Sequence, residues 1–150
     1  MRYQDLLAYQ KGFSLAMKIF ELSMTFPKEE KYSLTDQVRR SSRSVCANMA
    51  EAYRKRDYPR HFHSKLTDSD AENSETLTWL EFAFACKYIS SEIFESYSIE
   101  NEEVGKLINY MMQNPHKFGV KQIWTDNWIL TLMLSPEYWP PTTDHFLNHV

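Results

Sequence analysis

Between positions 39 and 67 the chain gathers eight Arg or Lys residues against two acids, although its formal net charge is −3. The eight are Arg39, Arg40, Arg43, Arg54, Lys55, Arg56, Arg60 and Lys65. Such a stripe suits phosphate, because the planar guanidinium fork matches pairs of phosphate oxygens. Tyr53, Tyr58 and His61 lie among the cations and offer faces on which unstacked bases can sit. These residue types point to a nucleic-acid partner. Internal pairing is the competing reading. Residues 68–103 hold ten acids and one base, and Glu72, Glu75 and Glu81 meet the arginines if the two segments pack as antiparallel helices. Exposed pairs of that kind contribute about 0–1 kcal/mol each but can fix helix register. The overall pI near 5.9 also lies below the strongly basic footprint of non-specific binders.

Asn48, Glu51, Asn73 and Glu75 form a second constellation. Glu51 follows Asn48 by three residues, so the two share one side of a helix. They suit either a polar pocket with Arg40 or a hydrogen-bonded layer that fixes register, since buried polar groups need partners. The structural layer is the expectation.

Other chemistries find little support. Neither Glu72 nor Glu75 has a histidine three residues on, so the Glu-x-x-His pattern of a di-metal bundle is missing. His145 and His149 have chelating spacing but sit in a proline-flanked stretch. Ser42 and Ser44 have no histidine nearby in sequence. Cys46 and Cys86 lack a basic partner and metal-ligand spacing, and both read as buried free thiols. Three glycines, Gly12, Gly105 and Gly119, are too few for a Gly-rich phosphate loop or a turn-dense β fold. The expectation is a non-enzymatic protein with no metal and no cofactor. No signal-peptide pattern opens the chain, and the apolar run in WILTLMLS is too short for a bilayer, so a cytoplasmic location off the membrane is expected.

Helices must position these residues. Leu6, Tyr9, Phe13, Met17, Phe20 and Met24 recur at spacings of three and four, which predicts a helix over 5–25 buried along that stripe. Pro27 ends it. A second helix is predicted over 33–56, with Ser33 as N-cap. Leu34, Val38, Val45, Met49 and Ala52 form its inner face, while Arg39, Arg40, Arg43 and Arg54 point outward. A third runs from Pro59 to about Ile89, with Phe62, Leu66, Ser69, Asn73, Leu77, Leu80, Phe84 and Tyr88 along one stripe. Its second apolar face, Trp79, Phe82, Ala83 and Cys86, predicts a contact with another copy or with the C-terminal segment. A fourth covers 99–114 and stops at Pro115. The fold class is therefore all-α, an antiparallel up-down four-helix bundle over 1–118 with a Trp-rich C-terminal extension over 119–150. Trp124, Trp128 and Leu132 leave room in that extension for a short helix over 121–134, while the run WILTLML also suits a strand.

The second and third helices carry a resemblance. The residues are Phe26-Pro27, Glu30 and Tyr32, Leu34, Gln37, Arg39-Arg40 and Asn48-Met49-Ala50-Glu51-Ala52, followed by Leu66, Glu72, Glu75, Leu80 and Tyr88. In this order they resemble a bacterial family of small four-helix bundles that includes proteins encoded in intervening sequences of 23S rRNA genes. The resemblance covers about residues 3–120. Ala52 stands where the family usually has glycine, so the second helix is expected to run on further. The resemblance implies a homo-oligomer, often a ring of five. It also implies RNA or other nucleic acid as a possible ligand, since some relatives serve retroelements. A protein-interaction scaffold without a nucleic-acid role is the alternative.

Overall fold

The structure, a computed structural model, describes residues 2–121. Four helices follow in chain order: α1 (Leu7–Ser23), α2 (Leu34–Arg54), α3 (Pro59–Ala85) and α4 (Ser91–Gln113). Single 3-10 turns at Tyr3–Asp5, Lys28–Glu30 and Pro115–Phe118 flank or join them. No strand occurs among the described residues. α1 packs on α2 and α4, and α3 packs on the same two, so the helices form an antiparallel square. The pairings Ser41–Thr76, Val45–Ser69 and Asn48–Lys65 run in opposite directions along α2 and α3. The C-terminal extension lies outside the described residues beyond Lys121, and so does the helix-or-strand question over 121–134.

Local chemistry sets the helix ends. Pro59 opens α3 at its first turn, where a missing N–H costs nothing. The third helix stops at Ala85, four residues before the expected Ile89. Lys87 takes a left-handed φ of 62°, donates to Phe84, and lets Tyr88 donate back to Ala83, which is a Schellman closure built on a lysine. The fourth helix starts at Ser91, eight residues before the expected 99, because the Ser90 hydroxyl caps Ile93 N–H at 3.3 Å. At α2 the capping group differs from expectation. Ser33 makes no side-chain cap; its hydroxyl donates to Glu30, whose carboxylate accepts the Leu34 N–H. α2 continues past Ala52 to Arg54.

The inner face of α1 is not the one its bulky stripe predicts. Ala8, Gly12, Leu15, Ala16, Ile19 and Ser23 are buried, while Phe13, Met17 and Met24 are exposed. The small residues let α1 approach α2 closely. A Cβ on Gly12 would stand 3.2 Å from Met49 Cε and 3.4 Å from Cys46 Sγ. A helix can bury a small stripe at short range or a large one at long range, and periodicity alone does not say which.

The core has two apolar ends and a polar waist. Val45, Met49, Phe62, Leu66, Val104 and Ile108 pack at one end. Leu15, Ile19, Phe26, Val38, Leu80 and Ala83 pack at the other. Between them lie buried Ser41, Ser42, Ser69, Asn73, Thr76 and Asn101. Asn73 and Asn101 donate their side-chain amides to each other's backbone carbonyls, both at 3.0 Å, and to each other's side-chain carbonyls at 3.2 and 3.0 Å. Thr76 Oγ1 donates to Ser41 Oγ at 2.9 Å and Ser69 Oγ to the Val45 carbonyl at 2.8 Å. Each hydroxyl and amide in this waist finds a partner, as burial demands.

The expected polar layer is thus corrected in membership. Asn73 belongs to it, but Glu51 is exposed, Asn48 and Glu75 are only half-buried, and none of the three bonds Asn73. Asn101, on α4, supplies the partner instead. One of the residues assigned to self-contact is also corrected: Ala83 is fully buried in the chain's own core. The Cys86 thiol, expected to be buried, is exposed because α3 ends before it. Cys46 is buried, and burial pushes its thiol up to about 11.

Candidate nucleic-acid interface

The eight cations divide by the elements that hold them. On the groove between α2 and α3, Lys65 Nζ meets Glu51 at 3.1 Å and Asp68 at 3.2 Å, which raises its pKa. The bond to Glu51 is the larger cause. Arg40 Nη2 donates to Gln37 at 3.0 Å and Glu75 at 3.4 Å. Glu75 in turn accepts from the Trp79 indole at 3.0 Å. Glu72 sits in the same groove with one buried carboxylate oxygen lacking a partner, and burial, then Glu75, raises its pKa. These charges are committed to the α2–α3 contact, as the pairing reading expects.

Arg39 and Arg43 turn the other way, toward α1. Their guanidinium carbons lie 4.9 and 5.6 Å from the Phe20 ring centroid, and Arg39 Nε donates to Ser23 Oγ at 2.6 Å. Neither forms an ion pair with a carboxylate among the described residues. Sequence spacing could not show this, because it depends on α1 presenting aromatic residues beside α2.

The rest cluster at the pole where α2 turns into α3. Arg56 stacks on Tyr53 with its guanidinium carbon 4.4 Å from the ring centroid and donates to the Tyr53 carbonyl at 2.8 Å. Lys55 lies 4.0 Å from Glu51. Arg54 and Arg60 are exposed and have no ion pair or hydrogen bond from their side chains among the described residues. Tyr58 and His61 flank them, exposed and in edge contact at 6.1 Å. Lys121 reaches the same pole at 3.8 Å from Asp57. The two open arginines and two open rings all fall within residues 54–61, where α2 turns into α3. The groove between α3 and α4 is lined by Asp70, Glu81 and Glu102 with Lys106, and it suits no polyanion.

A sequence model of the family described as 23S rRNA-intervening sequence protein matches residues 4–110. The chain belongs to that family. Its match stops short of the last turn and of the whole C-terminal extension. A crystal structure from Bacteroides thetaiotaomicron, titled as a protein with unknown function from the S23 ribosomal protein family, is similar at a TM-score of 0.66 and 29% identity. The similarity covers 73% of this chain and 98% of that one. No curated protein matches.

Membership explains some of the motif. Glu30, from the acidic-aromatic segment after Phe26-Pro27, accepts from Ser33, Leu34 N–H and the Tyr88 hydroxyl, the last at 3.0 Å. These bonds lower its pKa, Ser33 most. Residues 30 and 88, far apart in sequence, thus tie the α1–α2 connection to the α3–α4 turn. Among the described residues, no group of three or more His, Cys, Asp or Glu is placed to hold a metal ion, and no helix is long and apolar enough to cross a membrane.

Proposed function

We propose that this member of the 23S rRNA-intervening sequence protein family is a non-enzymatic homo-oligomer that binds RNA backbone at its α2–α3 pole. One observation carries the reading. Arg54 and Arg60 are exposed with no side-chain partner among the described residues, beside open Tyr58 and His61. Two guanidiniums and two stacking faces around the α2–α3 connection suit a single strand. The family's name, tied to rRNA genes, supports RNA over DNA. Self-association in this reading uses the side of α3 where Phe82 is exposed against Trp79, with ring centroids 5.8 Å apart. The same uncovered aromatic surface favours the second reading, a protein-interaction scaffold.

Binding of a labelled single-stranded RNA across a salt series tests the choice. Each lost phosphate contact flattens the log–log salt slope by about 0.7. The double change Arg54→Ala and Arg60→Ala should therefore flatten it by about 1.4. Arg40→Ala should leave it unchanged, because Glu75 already holds that charge. An intact protein with no salt-dependent binding, yet oligomeric by light scattering, establishes the scaffold. A Phe82→Glu variant that keeps the parent's mass removes the α3 face from the reading.

A further inference from the structure

Two lines of surface residues on different helices complement each other in shape. On α1, Phe13 is 52% exposed, Met17 43% and Met24 62%, and half-buried Tyr9 and Phe20 complete a bulky stripe at spacings of three and four. On α3, Ala71, Ser74, Thr78, Phe82 and Ala85 are exposed, again at spacings of three and four, and all but Phe82 are small. The α1 stripe runs about 22 Å and the α3 line about 21 Å. Beside Ala71 a concavity of about 290 Å³ opens between α2 and α3, lined also by Asn48, Asp68, Glu72 and Glu75. Bulky side chains of one helix seat among small ones of another when the axes come close. Within one chain the two lines do not meet, because α1 and α3 occupy opposite corners of the square and both lines face outward.

The charges beside the two lines complement each other as well. Arg39 and Arg43 stack on Phe20 and have no carboxylate partner among the described residues. Glu72 lines the concavity beside α3 and has one carboxylate oxygen without a hydrogen-bond partner. Its neighbours Asp68 and Glu75 are held by Lys65 and Arg40 of their own chain. Spacing agrees. Phe13 lies about 10 Å along α1 from Phe20, and Trp79, whose ring packs against exposed Phe82, lies about 10 Å along α3 from Glu72. An antiparallel approach of α1 to α3 therefore sets Phe13 on Trp79 and Phe82 while Arg39 and Arg43 meet Glu72.

We propose that the α1 stripe of one copy docks antiparallel on the α3 line of the next, with Phe13 against Trp79 and Phe82, and Arg39 and Arg43 against Glu72. The contact is head-to-tail, since each copy offers one line and accepts the other. The inference rests on the self-association proposed above and names the surface that meets the α3 face. It places Arg39 and Arg43 in a protein contact and takes them out of any phosphate site, leaving Arg54 and Arg60 at the α2–α3 pole.

The test uses the full chain in a Cys86→Ser background, which leaves only buried Cys46. One preparation carries Phe13→Cys and another Phe82→Cys. Each is treated with a short bismaleimide alone, and again after the two are unfolded together in urea and refolded. A covalent dimer is expected from the mixture and from neither preparation alone. A dimer from Phe13→Cys alone, or from Phe82→Cys alone, overturns the inference in favour of a two-fold contact. No dimer in any sample overturns it too. Light scattering on the parent separates the causes: a monomeric parent removes the self-association reading itself, whereas an oligomeric parent without the mixed dimer removes only this contact. Independently, Arg39→Glu with Arg43→Glu should raise the protein concentration of half-dissociation by at least about tenfold at unchanged helicity, because the groups that attracted Glu72 now repel it. Arg60→Glu should leave that concentration where it is. An unmoved midpoint in the double variant counts against the contact.

Discussion

Removing the Asn101 side chain should destabilise the bundle far more than its place in a polar run of α4 would suggest. Asn101 is 2% exposed and donates to both the backbone and side-chain carbonyls of Asn73 at 3.0 Å. In Asn101→Ala the Asn73 side-chain oxygen loses the donor it has in the folded chain, and water has no ready access to replace it. An orphaned buried acceptor costs about 1–3 kcal/mol. The lost amide volume between α3 and α4 adds about 1 kcal/mol of cavity cost, while the better helix propensity of alanine returns about 0.5 kcal/mol. The expected loss is about 1.5–3.5 kcal/mol, or roughly 6–14 °C in Tm at about 4 °C per kcal/mol for a domain of this size. Urea unfolding at fixed protein concentration measures it, which keeps any oligomer contribution constant. The double variant with Asn73→Ala should cost at least about 1 kcal/mol less than the sum of the two singles, because it leaves no orphan. A single-variant loss below about 0.5 kcal/mol, or strict additivity, refutes the claim that this reciprocal pair closes the waist.

Three further outcomes follow from local geometry. Gly105→Ala should destabilise, because its Cβ would stand 3.2 Å from Asn73 Nδ2, an atom pinned by Asn101, while Gly12→Ala is tight only against the flexible end of Met49, with Cys46 at ordinary contact, and should be neutral or stabilising by up to about 1 kcal/mol. The same sign at both sites in thermal unfolding would refute this. Lys87→Gly should raise Tm, since φ 62° strains lysine and not glycine; a gain of about 0.5–1 kcal/mol is expected by denaturant melt, and a loss would mean the lysine side chain matters there. Glu30 is held below its ordinary value of 4.5, so its bonds stabilise the fold above that pH and the benefit fades as pH falls through its folded value. Tyr88→Phe should therefore be clearly less stable than the parent at pH 7, and the gap should narrow as pH falls below 4.5; a constant gap would sink the linkage.

How far the sequence reached depends on which residues carried the period. For α2 the pattern was decisive. Leu34, Val38, Val45, Met49 and Ala52 are its buried line, and no competing apolar face exists on that helix. For α1 two faces competed, one bulky and one small, and hydrophobicity ranked them wrongly because close approach to Met49 and Cys46 rewards the small one. The polar waist was foreseen from Ser69 and Asn73 on the inner stripe of α3, but its partner was sought on α2. Asn101 carries no signal in a run of serines and glutamates, and only the α3–α4 contact reveals it. The cationic block was legible as a block. Its division was not. Which arginine meets Glu75, which meets Phe20 and which has no partner among the described residues depends on rotation about the α2 axis and on what each neighbouring helix offers.

The amino-acid order by itself determined the fold class, most helix boundaries and the concentration of positive charge on one segment, because helical period, proline stops and capping residues act over a few neighbours. Tertiary structure alone decided which face of α1 is buried, how the waist is closed and which cations at the α2–α3 pole have no partner among the described residues. Those outcomes turn on the distance and rotation between helices, and no local pattern encodes either.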